Sequence, residues 1–271
     1  MADTFRITLA QLNPTVGDLP GNAAKARAAW EQARAAGSAM LVLPEMFITG
    51  YQTQDLVLKR AFTDPSYLMI FVGFFSCGYQ LGFITAHFPA MITEMCGPIS
   101  PMGTLASIGI TTTSALGAVA ISLIGLANIA GSILSGWLGK RYTRKYLLAG
   151  IYTLRTIASA AFILMPITPT SVIVFSLVMG GLWLATVPLT SGLVAYIYGL
   201  RYMGTLYGFV FLSHQLGSFL GVWLGGKMYD IYGNYTMVWW VGVGVGAFSA
   251  LIHLPIREAP ARMTPAKSEF A

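Results

Sequence analysis

The spacing of apolar and polar positions changes character near residue 62. Before that point the pattern is that of a soluble α/β segment. Arg6–Gln11 alternates, with Phe5, Ile7 and Leu9 on one face, which predicts a strand. Asn13-Pro14 and the stretch from Gly17 to Gly21 predict a turn. Asn22 is placed to cap an Ala-rich helix that ends near Ala36, with Gly37 as its stop. Met40–Leu43 reads as a second short strand closed by Pro44, giving a strand–helix–strand unit of the parallel kind.

Beyond Phe62 the apolar runs lengthen to the 20 or so residues that a bilayer-crossing helix needs. Six such stretches are predicted: Tyr67–Ile92, Ser114–Leu138, Tyr146–Met165, Ser171–Ile197, Thr205–Gly226 and Tyr235–Leu254. They cannot all be core helices of a soluble fold, because too little polar sequence remains to cover them. The reading is an all-α membrane protein with six transmembrane helices and a short N-terminal α/β fragment. Its parts are residues 1–62, the membrane domain 63–258 and a tail, 259–271.

Composition agrees. Hydrophobic residues make up 55% of the chain and charged residues 10%, against roughly 45–50% and about 25% in soluble domains. The net charge of +6 does not point to nucleic acid, because the basic residues sit at the ends of apolar stretches. Cys77 and Cys96 would lie about 28 Å apart on one helix, too far for a disulfide, and they lack metal-ligand spacing. No metal and no cofactor is expected. The opening MADTFRITLAQLNP has no signal-peptide pattern, so the N-terminus is expected in the cytoplasm.

The loop cations set the orientation. Lys59 and Arg60, then Lys140, Arg141, Arg144 and Lys145, then Arg201, then Arg257, Arg262 and Lys267 fall on one side. The opposite loops, around Glu94–Thr113, Pro166–Thr170 and Lys227–Asn234, carry only Lys227. Both termini are therefore expected in the cytoplasm, with the bundle in a bacterial inner membrane. Trp239 and Trp240 suit either interface anchoring or buried packing.

Two resemblances follow from these residues. ITLAQLNPTVGDLPGN, LVLPEMFITGY and DLVLK resemble the opening of a nitrilase-type amidase, closest to the glutaminase domain of glutamine-dependent NAD synthetases. The resemblance implies that Glu45 stands where that superfamily has the general base of a Glu–Lys–Cys triad. The Lys and Cys find no counterpart before the chain becomes apolar, and a base without a nucleophile does no covalent catalysis. Glu45 is expected to be vestigial, and the chain is not expected to be an enzyme.

The loop GWLGKRYTRKYLL resembles the Gly-x-x-x-Asp-Arg-x-x-Arg-Lys motif of the major facilitator superfamily. Gly136, Arg141, Arg144 and Lys145 match, and Lys140 replaces the Asp. FVGFFSCGYQLGFITAHFPA, LIGLANIAGSILSGWLG, VPLTSGLVAYIYG and RYMGTLYGFVFLSHQLGSFLGVWLGG resemble the seventh, eighth, tenth and eleventh helices of its bacterial carriers akin to monocarboxylate and oxalate–formate transporters. This implies the C-terminal half of a twelve-helix carrier. It also implies that the latch to which the motif's Asp contributes is weak or absent.

Polar groups within the spans are the candidates for substrate contact. Gln80 and His87 lie seven residues apart on the first span, Asn128 in the second, and His214 and Gln215 in the middle of the fifth. Each could instead make an interhelical hydrogen bond. Arg155 lies about ten residues into the third span with no Asp or Glu in any span. It could bind an anion, snorkel, or bond helix-end carbonyls, and a structural role is favoured because the resemblance makes this helix peripheral. Without a buried carboxylate, proton coupling would fall to His87 or His214. Gly217, Gly221 and Gly225 permit close helix approach, and Gly180-Gly181 with Pro188 could bend the fourth span.

Three functions are compatible with this pattern. The chain transports a small organic anion, as a homodimer or with a separate N-terminal half. Or it is a fusion that inserts in the bilayer without transporting. Least favoured is an amidase activity from the first segment.

Overall fold

The computed structural model describes residues 5–44, 46–48, 50 and 53–261. Glu45, Arg262 and Lys267 lie outside them, as does the side chain of Arg201. Residues 1–62 belong to one compact unit and residues 63–260 form another.

In the first unit, β1 (Ile7–Leu9) and β2 (Met40–Val42) pair in parallel, Ile7 opposite Met40. Helix α1 (Leu19–Ala35) connects them. Its cap is Asp18, whose carboxylate accepts from Gly21 N at 2.9 Å, so the expected cap, Asn22, is corrected. Pro20 fits the first turn, where no N–H is needed, and the start lies four residues upstream of the expected one. Asn22 is instead fully buried: it bonds both the amide and the carbonyl of Thr15 and also the Ile48 carbonyl. Gly37 ends the helix with φ +78°, the left-handed conformation that glycine tolerates. Ile7 and Leu9 are 51% and 77% exposed. The apolar face of the strand is uncovered. Helix α2 (Thr53–Thr63) follows.

The second unit begins at Asp64, whose side chain caps α3 (Pro65–Met95) through Ser66 N at 2.8 Å. The short α4 (Thr104–Ser107) precedes α5 (Thr113–Leu138) and α6 (Arg144–Leu164). The fourth span is two helices, α7 (Pro169–Leu182) and α8 (Thr186–Tyr198). Pro188 lacks an amide and its ring cannot sit against the Leu184 carbonyl, so the helix breaks just before it. Gly180 serves packing, since an added Cβ there would meet the backbone of Ile124 on α5; at Gly181 a Cβ would meet nothing within 4 Å, and it is Gly131 of α5 whose Cβ would overlap the Gly181 carbonyl. Helices α9 (Leu200–Tyr232) and α10 (Thr236–His253) complete the unit. Most of the expected loop Lys227–Asn234 is thus helix.

Five of the described helical stretches are long and apolar enough to cross a membrane, α7 and α8 counting together. The remaining predicted stretch, the fifth, Thr205–Gly226, lies within α9, where His214, Gln215 and several glycines lower the hydropathy. Helix α9 packs backbone to backbone on α3. A Cβ on Gly78 would overlap the His214 carbonyl, and one on Gly221 would overlap the Tyr79 carbonyl. The aromatic core joins α3, α6, α7 and α10: the Phe162 and Phe175 rings lie 4.4 Å apart, and Trp239 lies 5.3 Å from Phe162. Trp239 also donates to the Ser159 carbonyl at 2.7 Å. It is a core residue, and Trp240 is exposed. Leu126, Ile129 and Ile133 of α5, with Leu154 and Ile157 of α6, form an exposed apolar exterior suited to lipid.

Candidate functional site

A polar cluster lies inside the membrane unit. Arg155, on the inward face of α6, is fully buried. Its Nη1 donates to Cys77 Sγ of α3 at 3.3 Å and to the Trp183 carbonyl at 3.4 Å. That carbonyl is at the α7–α8 break, where helical bonding has lapsed. Nε and Nη2 of Arg155 have no hydrogen-bond partner. Its guanidinium lies 5.8 Å from the Tyr152 ring and 6.0 Å from that of Trp183. Of the sequence readings for Arg155, snorkelling is therefore set aside, because the side chain points into the bundle. The bond to a helix-end carbonyl is present.

Cys77 also lies 3.3 Å from Thr186 Oγ1. Behind Arg155, Tyr152 stacks on His253 of α10 at 4.9 Å. His253 Nδ1 bonds the Ser249 carbonyl, and Ser249 Oγ donates to the Gly73 carbonyl, each at 2.7 Å. The hydroxyls of Tyr152 and Thr190 and the Nε2 atoms of His214 and His253 are buried without partners. Arg155 thus meets α3 and the α7–α8 break directly, with Thr186 of α8 and His253 of α10 one contact further out, and none of these residues is a carboxylate.

The other sequence candidates are spread around this cluster. His214 is buried between Phe74 and Phe211, stacked on the latter at 5.2 Å. Its Nδ1 pairs with Gln215 Oε1 at 3.3 Å, and Gln215 is exposed. Gln80 donates to the Gly242 carbonyl of α10 at 3.0 Å and leaves Oε1 unpartnered. His87 bonds the Val222 carbonyl of α9 at 2.9 Å, in space left by Gly225. Gln80 and His87 share a helix but serve different neighbours. Asn128 accepts from Leu184 N at 3.0 Å and so satisfies an amide freed by the helix break.

Sequence reasoning missed Cys77, Tyr152, Thr186, Thr190, Ser249 and His253. The available signal was polar residues at helical spacing: Tyr152, Arg155 and Ser159 on one stripe, Thr186 and Thr190 four apart, Ser249 and His253 four apart.

At the α5–α6 turn, Arg141 packs its guanidinium over Trp137 at 4.2 Å. Arg144 pairs with Glu258 at 3.1 Å, and Glu258 also accepts from Arg144 N at 3.2 Å and Lys145 N at 3.0 Å. A carboxylate from beyond α10 therefore caps α6, whose N-cap Thr143 makes no side-chain cap bond. Lys140 and Gly136 make no ion pair or close side-chain contact of this kind among the described residues. In the first unit, Met46, next to Glu45, has φ 54°.

The family model described as Major Facilitator Superfamily matches residues 70–270, and the one described as carbon-nitrogen hydrolase matches residues 6–96. Their overlap falls on α3. Glutamine-dependent NAD(+) synthetase of Rhodobacter capsulatus is 73% identical over 62 residues, 23% of this chain and 11% of that protein. The uncharacterised MFS-type transporter YcxA of Bacillus subtilis is 25% identical over 191 residues, 69% of this chain and 43% of that protein. The solved structure of the Escherichia coli fucose:proton symporter FucP superposes with a TM-score of 0.57 at 12% identity, covering 73% of this chain and 44% of that one. The chain spans less than half the length of each of these relatives.

Proposed function

The chain belongs to the Major Facilitator Superfamily, and from that premise we propose that it is one wall of a secondary carrier for a small organic anion, a monocarboxylate being the simplest case. Transport would proceed by alternating access, with a second copy or a separate half as the other wall. The carrier part is 63–258, with 259–271 as a cytoplasmic tail in a bacterial inner membrane. The observation that supports this reading is Arg155. A fully buried cation with two unpartnered donor nitrogens and no carboxylate beside it is the group a carboxylate substrate would satisfy. Gln215, exposed on α9, with His214 behind it, offers an approach, and Gln80, His87 and Asn128 hold the surrounding helices.

The test is uptake of radiolabelled formate, acetate and lactate into proteoliposomes. Saturable uptake is expected from the unmodified chain, with a loss of at least about 100-fold in Arg155→Gln. Uptake that survives this substitution would limit Arg155 to bracing the helix break.

A second reading is favoured by the junction. A 62-residue stretch 73% identical to an NAD synthetase runs directly into a carrier bundle. On this reading the chain inserts and transports nothing, and no anion is taken up by any variant. In either case the nitrilase-like segment is vestigial and Glu45 idle. Ammonia release from glutamine that stops in Glu45→Gln would overturn this.

A further inference from the structure

The α5–α6 turn holds more positive charge than the fold uses. Lys140, Arg141, Arg144 and Lys145 lie within six residues. Glu258 is the carboxylate paired with them, and it is committed to Arg144 and to two backbone amides. Lys140 and Arg141 make no ion pair among the described residues, and Lys145 Nζ reaches only the Leu254 carbonyl, at 3.2 Å. Three cationic charges remain without a counter-ion, at the point where two membrane helices leave the apolar layer.

The aromatic residues beside them are exposed: Trp137 at 47%, Tyr142 at 61% and Tyr146 at 59%. Two carry a cation on the ring face, Arg141 over Trp137 at 4.2 Å and Lys145 over Tyr146 at 4.9 Å. Trp and Tyr favour the headgroup level, where an apolar ring and a polar edge are both satisfied. A cation held over such a ring is set at that level, with its remaining donors available outward.

We propose that this turn is a docking site for the phosphodiester of an anionic phospholipid such as phosphatidylglycerol. Arg141 and Lys140 would take the phosphate oxygens, Lys145 would add charge, and Trp137 and Tyr146 would lie against the glycerol and upper acyl region. A zwitterionic headgroup fits less well, because its own cation would meet three others. The inference is independent of whether the chain transports.

The experiment is native mass spectrometry of the delipidated full chain in detergent, with equal amounts of dioleoylphosphatidylglycerol and dioleoylphosphatidylcholine. The expected result is at least about a tenfold preference for phosphatidylglycerol, since each basic group near an anionic headgroup contributes roughly fivefold. The variant K140Q/R141Q/K145Q is expected to lose that preference. The charge-matched variant K25Q/R27Q/R34Q, altered in the first unit, is expected to keep it. Equal retention of the two lipids by the unmodified chain overturns the proposal. So does a preference that survives in the first variant or disappears in the second. Displacement of the lipid by inorganic phosphate also overturns it, because the site would then belong to a free anion.

Discussion

The two units of this chain stand in opposite relation to their relatives. The first 62 residues are 73% identical to an NAD synthetase yet correspond to 11% of it. Their two-stranded sheet leaves Ile7, Leu9 and Met40 exposed. The membrane unit resembles its curated carrier relative at only 25% identity. It nevertheless buries an aromatic core, closes α3 on α9 without intervening side chains, and pairs the backbone groups freed at its helix break. Identity measures how recently two sequences diverged. Whether a segment holds together depends on how much of its apolar face finds a partner within the segment, and two strands with one helix supply little.

The largest test of that contrast is Gly78→Leu. The added side chain would collide with the His214 backbone and separate the tightest helix pair. The membrane unit is expected to lose its folded, monodisperse form in size-exclusion chromatography, since lipid-embedded helices associate through such close contact. If the variant elutes and melts like the unmodified chain, the α3–α9 seam does not hold the unit together. Glu258→Gln weakens a charge-assisted cap and an ion pair, and should cost about 2 kcal/mol, seen as a lower melting temperature in detergent. Asn128→Ala leaves the Leu184 amide without its acceptor and should cost about 1 kcal/mol by the same measurement. Asp18→Ala removes the cap of α1 at about 1 kcal/mol. It should lower helicity and hydrogen-exchange protection in the first unit while the melting of the membrane unit stays put. A shift in that melting would mean that the two units are energetically coupled.

Local signals were legible where the partners lie close in sequence. Gly37 as a helix stop, the parallel strand pair, the long apolar runs and the basic loop are patterns within a few residues. The break in the fourth span was half legible: Pro188 marked it, but the sequence does not reveal that Gly180, with Gly131 of α5, serves the contact between α7 and α5 instead. Asn22 looked like a cap because its residue type suits one, and Asp18 does so equally with a better-placed carboxylate. What could not be read is what depends on distant partners. Arg155 meets Cys77 across 78 residues, and Arg144 meets Glu258 across 114. Neither pair has a local spacing that announces it. Lys140 in place of an acid suggested a missing latch at the loop, and no local pattern points to Glu258, which supplies the negative charge there from the far end of the unit.

The interrupted fourth span has a consequence for how the protein is made. Helix α7 has 14 residues and α8 has 13. At about 1.5 Å per residue each reaches about 20 Å, short of a hydrocarbon layer about 30 Å thick. Neither piece can cross alone, so the insertion machinery must handle them as one segment and release it with unpaired amides and carbonyls at its centre. The groups that relieve them, Asn128 on α5 and Arg155 on α6, leave the ribosome earlier. Synthesis order thus places the acceptor and the donor in the membrane before the segment that requires them arrives.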